Sequence, residues 1–275
     1  MQNPGFYEQL FQNIFGKFGA VMMEEIIDSG HLNLYSAKGG YSLTNDNGEI
    51  IHFDDKYQIT KLCLFRVKII PSNFLNECIC QHISQVDLLN ATEIGDGFLR
   101  NAPNLLQVNI PKVGKTGANC FSNVPKLSQF QGPSLKISGG GLLRSAPGLK
   151  RLDLPVLQKI QFTQGHMTQG SFCDVSNLQY LNVPKFEASC DNVFVDNHYI
   201  THVELNNMTS LPGGSFVNWT KLETISLDKA TYVGDYSFEN CNNLSEIFAS
   251  DLDEAGIKCH PLVYGLISKN KGKNK

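Results

Sequence analysis

Apolar residues recur along this chain at a fixed interval. The anchors Ile83, Leu105, Leu127, Leu149, Leu178, Ile200, Leu222 and Leu244 are separated by 22, 22, 22, 29, 22, 22 and 22 residues. Further apolar columns keep step with them. Three residues after each anchor stand Val86, Val108, Phe130, Leu152, Leu181, Val203, Ile225 and Ile247, and five after it Leu88, Ile110, Gly132, Leu154, Val183, Leu205, Leu227 and Ala249. Sixteen after it come Leu99, Phe121, Leu143, Phe172, Phe194, Phe216 and Phe238, once seven extra residues in the long step are allowed for.

Columns three and five alternate with polar neighbours, as a half-buried strand requires. Columns sixteen and nineteen are three apart, the spacing of one face of a helical or 3₁₀ turn. Each unit therefore predicts a short strand, a bend and a tight turn leading back. Pro111, Pro133, Pro155 and Pro184 follow the strand and end its pairing. One such coil leaves both flat sides of its core wet, so the coils must stack and pair their strands in parallel. The predicted class is an α/β solenoid of ~22-residue coils, with a parallel β-sheet on one face and an N-terminal helical and hairpin cap.

The stretch Leu222–Leu244, with Val233-Gly234 followed by Phe238 and Cys241, carries the pattern L-x-x-V-x-L-P-x-V-x-x-I-G-x-x-x-F-x-x-C-x-x-L most fully. It resembles the BspA-like leucine-rich repeat. Leu105–Leu127 and Ile200–Leu222 match well, whereas Leu127–Leu149 departs from the pattern at Gly132. The resemblance spans residues 59–250 and implies repeats without the asparagine ladder that follows the strand in ordinary leucine-rich repeats. Relatives of this kind are implied to be surface or adhesion proteins in many cases.

Three segments are expected: a cap over 1–58, repeats over 59–250, and a closing cap with a basic tail over 251–275. Phe6, Tyr7, Leu10, Phe11, Ile14, Phe15 and Phe18 have helical spacing, and Asn3-Pro4 suits a helix start. YEQLFQNIFGKFG is loosely similar to the first half of an F-box, which implies a ubiquitin-ligase adaptor as one alternative role. Tyr41–Thr44 and Glu49–Phe53 predict a hairpin across the turn-forming run Asn45-Asp46-Asn47-Gly48. The long step inserts QFTQGHMTQGS at 161–171, read as a surface loop. Beyond residue 267 the basic tail is expected to be disordered.

Net charge is −3, so no global basic field argues for nucleic acid. No run of eighteen apolar residues exists, so no membrane span is expected. The stretch MQNPGFYEQLFQN has neither a basic start nor a continuous apolar core and is not expected to act as a secretory signal. The eight cysteines fall in different columns without a paired framework, which points to a reducing, cytoplasmic setting.

Motifs of catalytic type are weak. Gly114-Lys115-Thr116 has Asn109 where a phosphate-binding loop needs its first glycine, and a bend rather than a helix is expected to follow. Cys78-x-Cys80-x-His82 lacks the usual zinc spacing and a second pair. Neither a metal nor a cofactor is expected. The strand face is the better candidate. Columns two and four place Gln107, Asn109, Arg151, Asp153, Tyr180, Asn182, His202 and Glu204 on one exposed, amide-rich surface. Tyr180, His202 and Arg151 are its expected anchors, because aromatic and arginine side chains dominate protein interfaces. The expected function is a non-enzymatic protein-interaction or scaffold module; the alternatives are an exported adhesin and the F-box-type adaptor. Oligomeric state is left open.

Overall fold

Each 22-residue interval closes one turn of a coil, and the turns stack through parallel strand pairing. The protein, as a computed structural model, describes residues 32–37, 40–45, 50–53, 59–64, 67–70, 72, 80–161, 170–187 and 191–273. In chain order the strands are β1 (Leu32–Ala37), β2 (Gly40–Asn45), β3 (Ile50–Phe53), β4 (Ile59–Leu64), β5 (Ile69–Ile70), β6 (Gln85–Leu88), β7 (Glu93–Ile94), β8 (Gln107–Asn109), β9 (Lys115–Thr116) and β10 (Gln129–Gln131). They continue as β11 (Ile137–Gly139), β12 (Arg151–Asp153), β13 (Lys159–Gln161), β14 (Tyr180–Asn182), β15 (His202–Glu204), β16 (Ser210–Leu211), β17 (Thr224–Ser226), β18 (Tyr232–Val233), β19 (Glu246–Phe248) and β20 (Glu254–Ala255). A helix, α1 (Pro261–Lys273), follows.

The strands expected from columns two to four pair in parallel and in the expected register, but in three separate runs, β4-β6-β8-β10, β12-β14 and β15-β17-β19, rather than as one sheet. Val86 lies opposite Val108, Phe130 opposite Val108, Leu152 opposite Leu181, and Val203 opposite Ile225. The fold is nevertheless a β-solenoid rather than an α/β one, because a second ladder replaces the expected helical return. It runs β5-β7-β9-β11-β13 and, further on, β16-β18-β20. Its inward column holds Ile94, Thr116, Ser138, Ile160, Leu211 and Val233. Thr116 and Ser138 are buried there, and the Thr116 hydroxyl donates to the Ser138 hydroxyl at 3.0 Å. Polar residues facing inward in strands of only two or three residues erase the alternation that would have revealed them. Glycine follows this column at Gly95, Gly117, Gly139 and Gly234; a Cβ on Gly139 would lie 2.4 Å from the Ala118 nitrogen in the coil before it.

The third side is the turn. Backbone φ is positive at alternate residues: Gly97, Leu99, Asn101, then Asn119, Phe121, Asn123, then Gly141, Leu143, Ser145. Left-handed φ costs a bulky residue roughly 1–2 kcal/mol, so it persists only where the surroundings impose it. Here coil-to-coil bonds do so, among them Asn119 N–H to Gly140 C=O at 2.7 Å and Phe121 N–H to Phe98 C=O at 2.9 Å. The side chains of this side fill the core. Phe172, Phe194, Phe216 and Phe238 stack in sequence, with centroids 5.6, 5.4 and 5.7 Å apart and planes within 20°.

An amide ladder runs beside that stack. Asn123 Nδ2 donates to Asn101 Oδ1 at 2.9 Å, Asn218 Nδ2 to Asp196 Oδ1 at 2.7 Å, and Asn240 Nδ2 to Asn218 Oδ1 at 2.7 Å. The column after the strand is apolar, as the resemblance implies, and the polar ladder stands on the turn instead.

At the N-terminal end β1, β2 and β3 are antiparallel and β3 pairs with β4, so they extend the first ladder past its opening coil. The expected hairpin is β2–β3, with Tyr41 opposite Phe53. The expected helix over 6–27 lies outside the described residues, as does most of the 161–171 insertion. At the other end the basic tail is not loose chain: α1 covers the last coil through Val263, fully buried, and Asn270 Nδ2 donates to Ala249 and Leu252 carbonyls at 3.2 and 3.0 Å.

Candidate interaction surface

Alternation along the first ladder turns columns two and four outward. Gln107, Arg151, Tyr180, His202 and Glu204 are exposed; Asn109, Asp153 and Asn182 are half-buried by their neighbours. The structure joins four of these eight. Arg151 Nη2 reaches Asp153 Oδ2 at 2.9 Å, the Arg151 guanidinium lies 3.7 Å above the Tyr180 ring, and Asn182 Nδ2 donates to Asp153 Oδ1 at 2.8 Å. The Asp153 carboxylate hydrogen-bonded to Arg151 raises that guanidinium pKa above its ordinary value. Guanidinium, ring and carboxylate thus hold one another in place.

Asn109 belongs to another group. Its amide donates to Asp87 Oδ1 at 3.2 Å, and Asp87 also receives Gln85 Nε2 at 2.8 Å and the Cys63 thiol at 3.3 Å. Burial and that carboxylate push the Cys63 thiol up to about 12. His202 stands apart, its Nδ1 2.6 Å from the Thr201 hydroxyl.

Three exposed aromatics mark this surface and its rim: Tyr180 at 41%, Phe248 at 46% and Tyr199 at 54% exposure. The sequence reading did not select Phe248 or Tyr199. Phe248 was visible as the one aromatic in column four. Tyr199 precedes its anchor by one residue, outside the alternating columns, and gave no signal.

The first ladder is also interrupted twice. β10 does not pair with β12, nor β14 with β15, and the strands form separate sheets on either side. A cleft of ≈ 400 Å³ opens at the first gap, lined by Asn109, Phe130, Gly132 and Arg151. Another of ≈ 290 Å³ opens at the second, lined by Tyr180, Leu181, His202 and Asn206. The Arg151–Tyr180 stack lies on the two-stranded sheet between them.

The motifs of catalytic type have structural places. Lys115 and Thr116 form β9; Lys115 Nζ pairs with Glu93 Oε1 at 2.8 Å, which raises the lysine pKa. The Cys80 thiol is buried and faces the Arg100 and Asn101 carbonyls at 3.5 and 3.6 Å. Among the described residues no three His, Cys, Asp or Glu side chains converge as metal ligands, and no helix is long and apolar enough to cross a membrane. Among the described cysteines Cys63, Cys120, Cys241 and Cys259 are free and buried.

Comparison with known proteins places these observations. The BspA type leucine rich repeat region matches in six copies, over residues 52–144 and 153–259. No curated protein matches the sequence. Among solved structures, a leucine-rich repeat protein from Bacteroides ovatus is 12% identical, with 82% of this chain and 77% of that one covered and a TM-score of 0.33. The pneumococcal vaccine antigen PcpA is 11% identical over 80% of this chain and 71% of its own, TM-score 0.29. A leucine rich cell surface protein from Faecalibacterium prausnitzii is 12% identical over 87% and 98%, TM-score 0.23. With the family's repeat matched over most of its coils, this chain belongs to the BspA-type leucine-rich repeat family.

Proposed function

We propose that the protein is a non-enzymatic interaction module that captures a protein partner on the face of its first ladder, with Arg151, Asp153, Tyr180 and Asn182 at the centre. One observation carries this reading. The Arg151–Tyr180 stack is fixed by Asp153 and Asn182, stays open to solvent, and has a cleft on each side. Pre-ordered arginine and aromatic side chains lose little entropy on binding, which is why they concentrate binding energy. The family's repeats serve in general as an interaction fold.

The test replaces Tyr180 and His202 together by alanine. Both are exposed, so the melting temperature is expected to hold while partner capture from the native source weakens by at least tenfold, the effect of losing ~1.4 kcal/mol. Unchanged capture would remove this face from the function. A cytoplasmic site of action is supported by the free, buried thiols of Cys63, Cys120, Cys241 and Cys259. Thiol titration of protein from its native source separates that setting from the exported-adhesin alternative: disulfides involving these cysteines would favour export. The adaptor alternative rests on residues 7–19, outside the described residues.

A further inference from the structure

The second ladder presents an outward column of its own. Parallel pairing aligns Lys115, Ile137 and Lys159 along β9, β11 and β13, and Ser210, Tyr232 and Glu254 along β16, β18 and β20. The coils between the two runs stay stacked, through Glu187 N–H to Gln158 C=O at 2.9 Å and Gly213 N–H to Asp191 Oδ1 at 2.9 Å. Charge divides between the runs. Residues 101–160 hold eight Lys or Arg and one Asp, a net +7; residues 171–254 hold three Lys and thirteen Asp or Glu, a net −10. On the basic half, Lys115, Lys136 and Lys159 are exposed. Glu93 Oε1 holds Lys115 at 2.8 Å, whereas Lys136 and Lys159 have no ion-pair partner among the described residues. On the acidic half, Glu187, Asp191 and Asp235 line a cleft of ≈ 470 Å³ beside Ser210 and Tyr232, and Glu254 is exposed on the last strand. From β9 to β20 is six coil steps, ~29 Å at ~4.8 Å per step. That is several times the ~8 Å screening length at physiological salt, so the two ends keep separate fields.

We propose that a second copy of this chain docks on the second-ladder side, antiparallel about a two-fold axis. A two-fold contact uses the same patch on both copies. Reversing the coil order sets β9 against β20, β11 against β18 and β13 against β16. Each basic half then meets an acidic half, and every contact is made twice. Half-buried Ile137 meets half-buried Tyr232 in the middle of each half. A polyanion suits the basic half alone and is repelled by the other, whereas a copy of the chain offers both signs in the required order. The contact goes beyond the interaction reading, because it leaves the first ladder open on each copy. Two capture faces in one assembly bind a repeated partner with added avidity.

The experiment is sedimentation velocity on the full chain over a range of protein and salt concentrations. A dimer is expected at low salt, weakening as salt screens the facing charges. Lys136→Glu/Lys159→Glu and Glu187→Lys/Glu254→Lys are each expected to raise the dimer Kd at least tenfold, a fold-change worth ~1.4 kcal/mol. All four side chains are exposed, so both variants are expected to keep the wild-type melting temperature. An equimolar mixture of the two variants is expected to recover a heterodimer, because reversed charges then face each other as the native ones do. A monomeric wild type, a dimer that strengthens with salt, an unchanged Kd in the variants, or a mixture that stays monomeric would overturn the proposal. Tyr180→Ala/His202→Ala is expected to leave the dimer intact, which separates this contact from the first-ladder face.

Discussion

Phe216 is the sharpest place to test whether stacked coils hold this fold together. Its ring is fully buried, lies 5.4 Å from Phe194 and 5.7 Å from Phe238 in parallel stacks, and meets Trp219 edge-on at 4.9 Å. Phe216→Ala removes a buried aromatic from a packed core, which costs ~3–5 kcal/mol. With a urea slope of ~2 kcal/mol/M, the midpoint falls by roughly 2 M. Trp219 is the only tryptophan, is buried against the same ring, and donates from Nε1 to the Phe194 carbonyl. Its fluorescence therefore reports the damaged layer, and far-UV circular dichroism reports the whole. Because each coil touches only its neighbours, the fluorescence transition is expected to precede the dichroism transition.

A double-mutant cycle refines the point. Phe194→Leu with Phe216→Leu is expected to show a coupling of ~0.5–1.5 kcal/mol, the worth of one aromatic pair. Phe194→Leu with Phe238→Leu is expected to show almost none, since a layer separates them. A midpoint shift below about 0.5 M, or equal coupling in both cycles, would refute nearest-neighbour stacking as the source of stability.

Three further outcomes follow from named groups. Asn218 has φ of 65° and bonds to Asp196 and Asn240 through its side chain, so Asn218→Ala is expected to cost ~2 kcal/mol from lost bonds and left-handed strain; Asn218→Gly, which keeps the backbone at ease, should recover about half in the same urea titration. Burial pushes the Cys120 thiol up to about 12 from an ordinary 9.0. A thiol held neutral in the fold and free to ionise once unfolded contributes stability below pH 9 and loses it as pH rises toward 12, at ~1.4 kcal/mol per pH unit; Cys120→Ala should flatten that slope in urea titrations from pH 8 to 11, and an unchanged slope would count against it. Burial lowers the His260 pKa, and its Nδ1 accepts from the Leu262 N–H at 3.4 Å; protonation below the ordinary His range removes that acceptor, so hydrogen exchange in α1 should quicken as pH falls through it, and His260→Asn should abolish the change.

Much of the fold was legible because the chain repeats its own evidence. One Phe in column sixteen means little, whereas Phe172, Phe194, Phe216 and Phe238 at the corrected interval fix a stack, and the stack is present. Columns three and five announced the first ladder for the same reason. The second ladder was hidden because its strands span two or three residues and carry Thr116 and Ser138 inward, where mutual hydrogen bonding replaces apolar character. The turn ladder of Asn101, Asn123, Asn218 and Asn240 recurred plainly, but left-handed φ at neighbouring Leu and Phe residues defies local preference and cannot be read without the bonds that impose it.

The surface yields to a different logic. A period states what every coil shares, while a binding site must distinguish some coils from the rest. The distinguishing residues here are departures from the columns. Gly132 stands where others carry Leu, Ile, Val or Ala, and lines the first cleft with Phe130. At the second gap the column residue Leu181 is ordinary, and only the break in pairing between β14 and β15 exposes it. Alternation correctly turned Arg151 and Tyr180 outward, yet the stack between them depends on the 29-residue step returning to register, so that Arg151 lies opposite Tyr180. Had the seven extra residues shifted the coil by one position, Leu181 would face solvent and the stack could not form. The insertion is therefore absorbed outside the ladder, and register across it is what turns two distant columns into one surface.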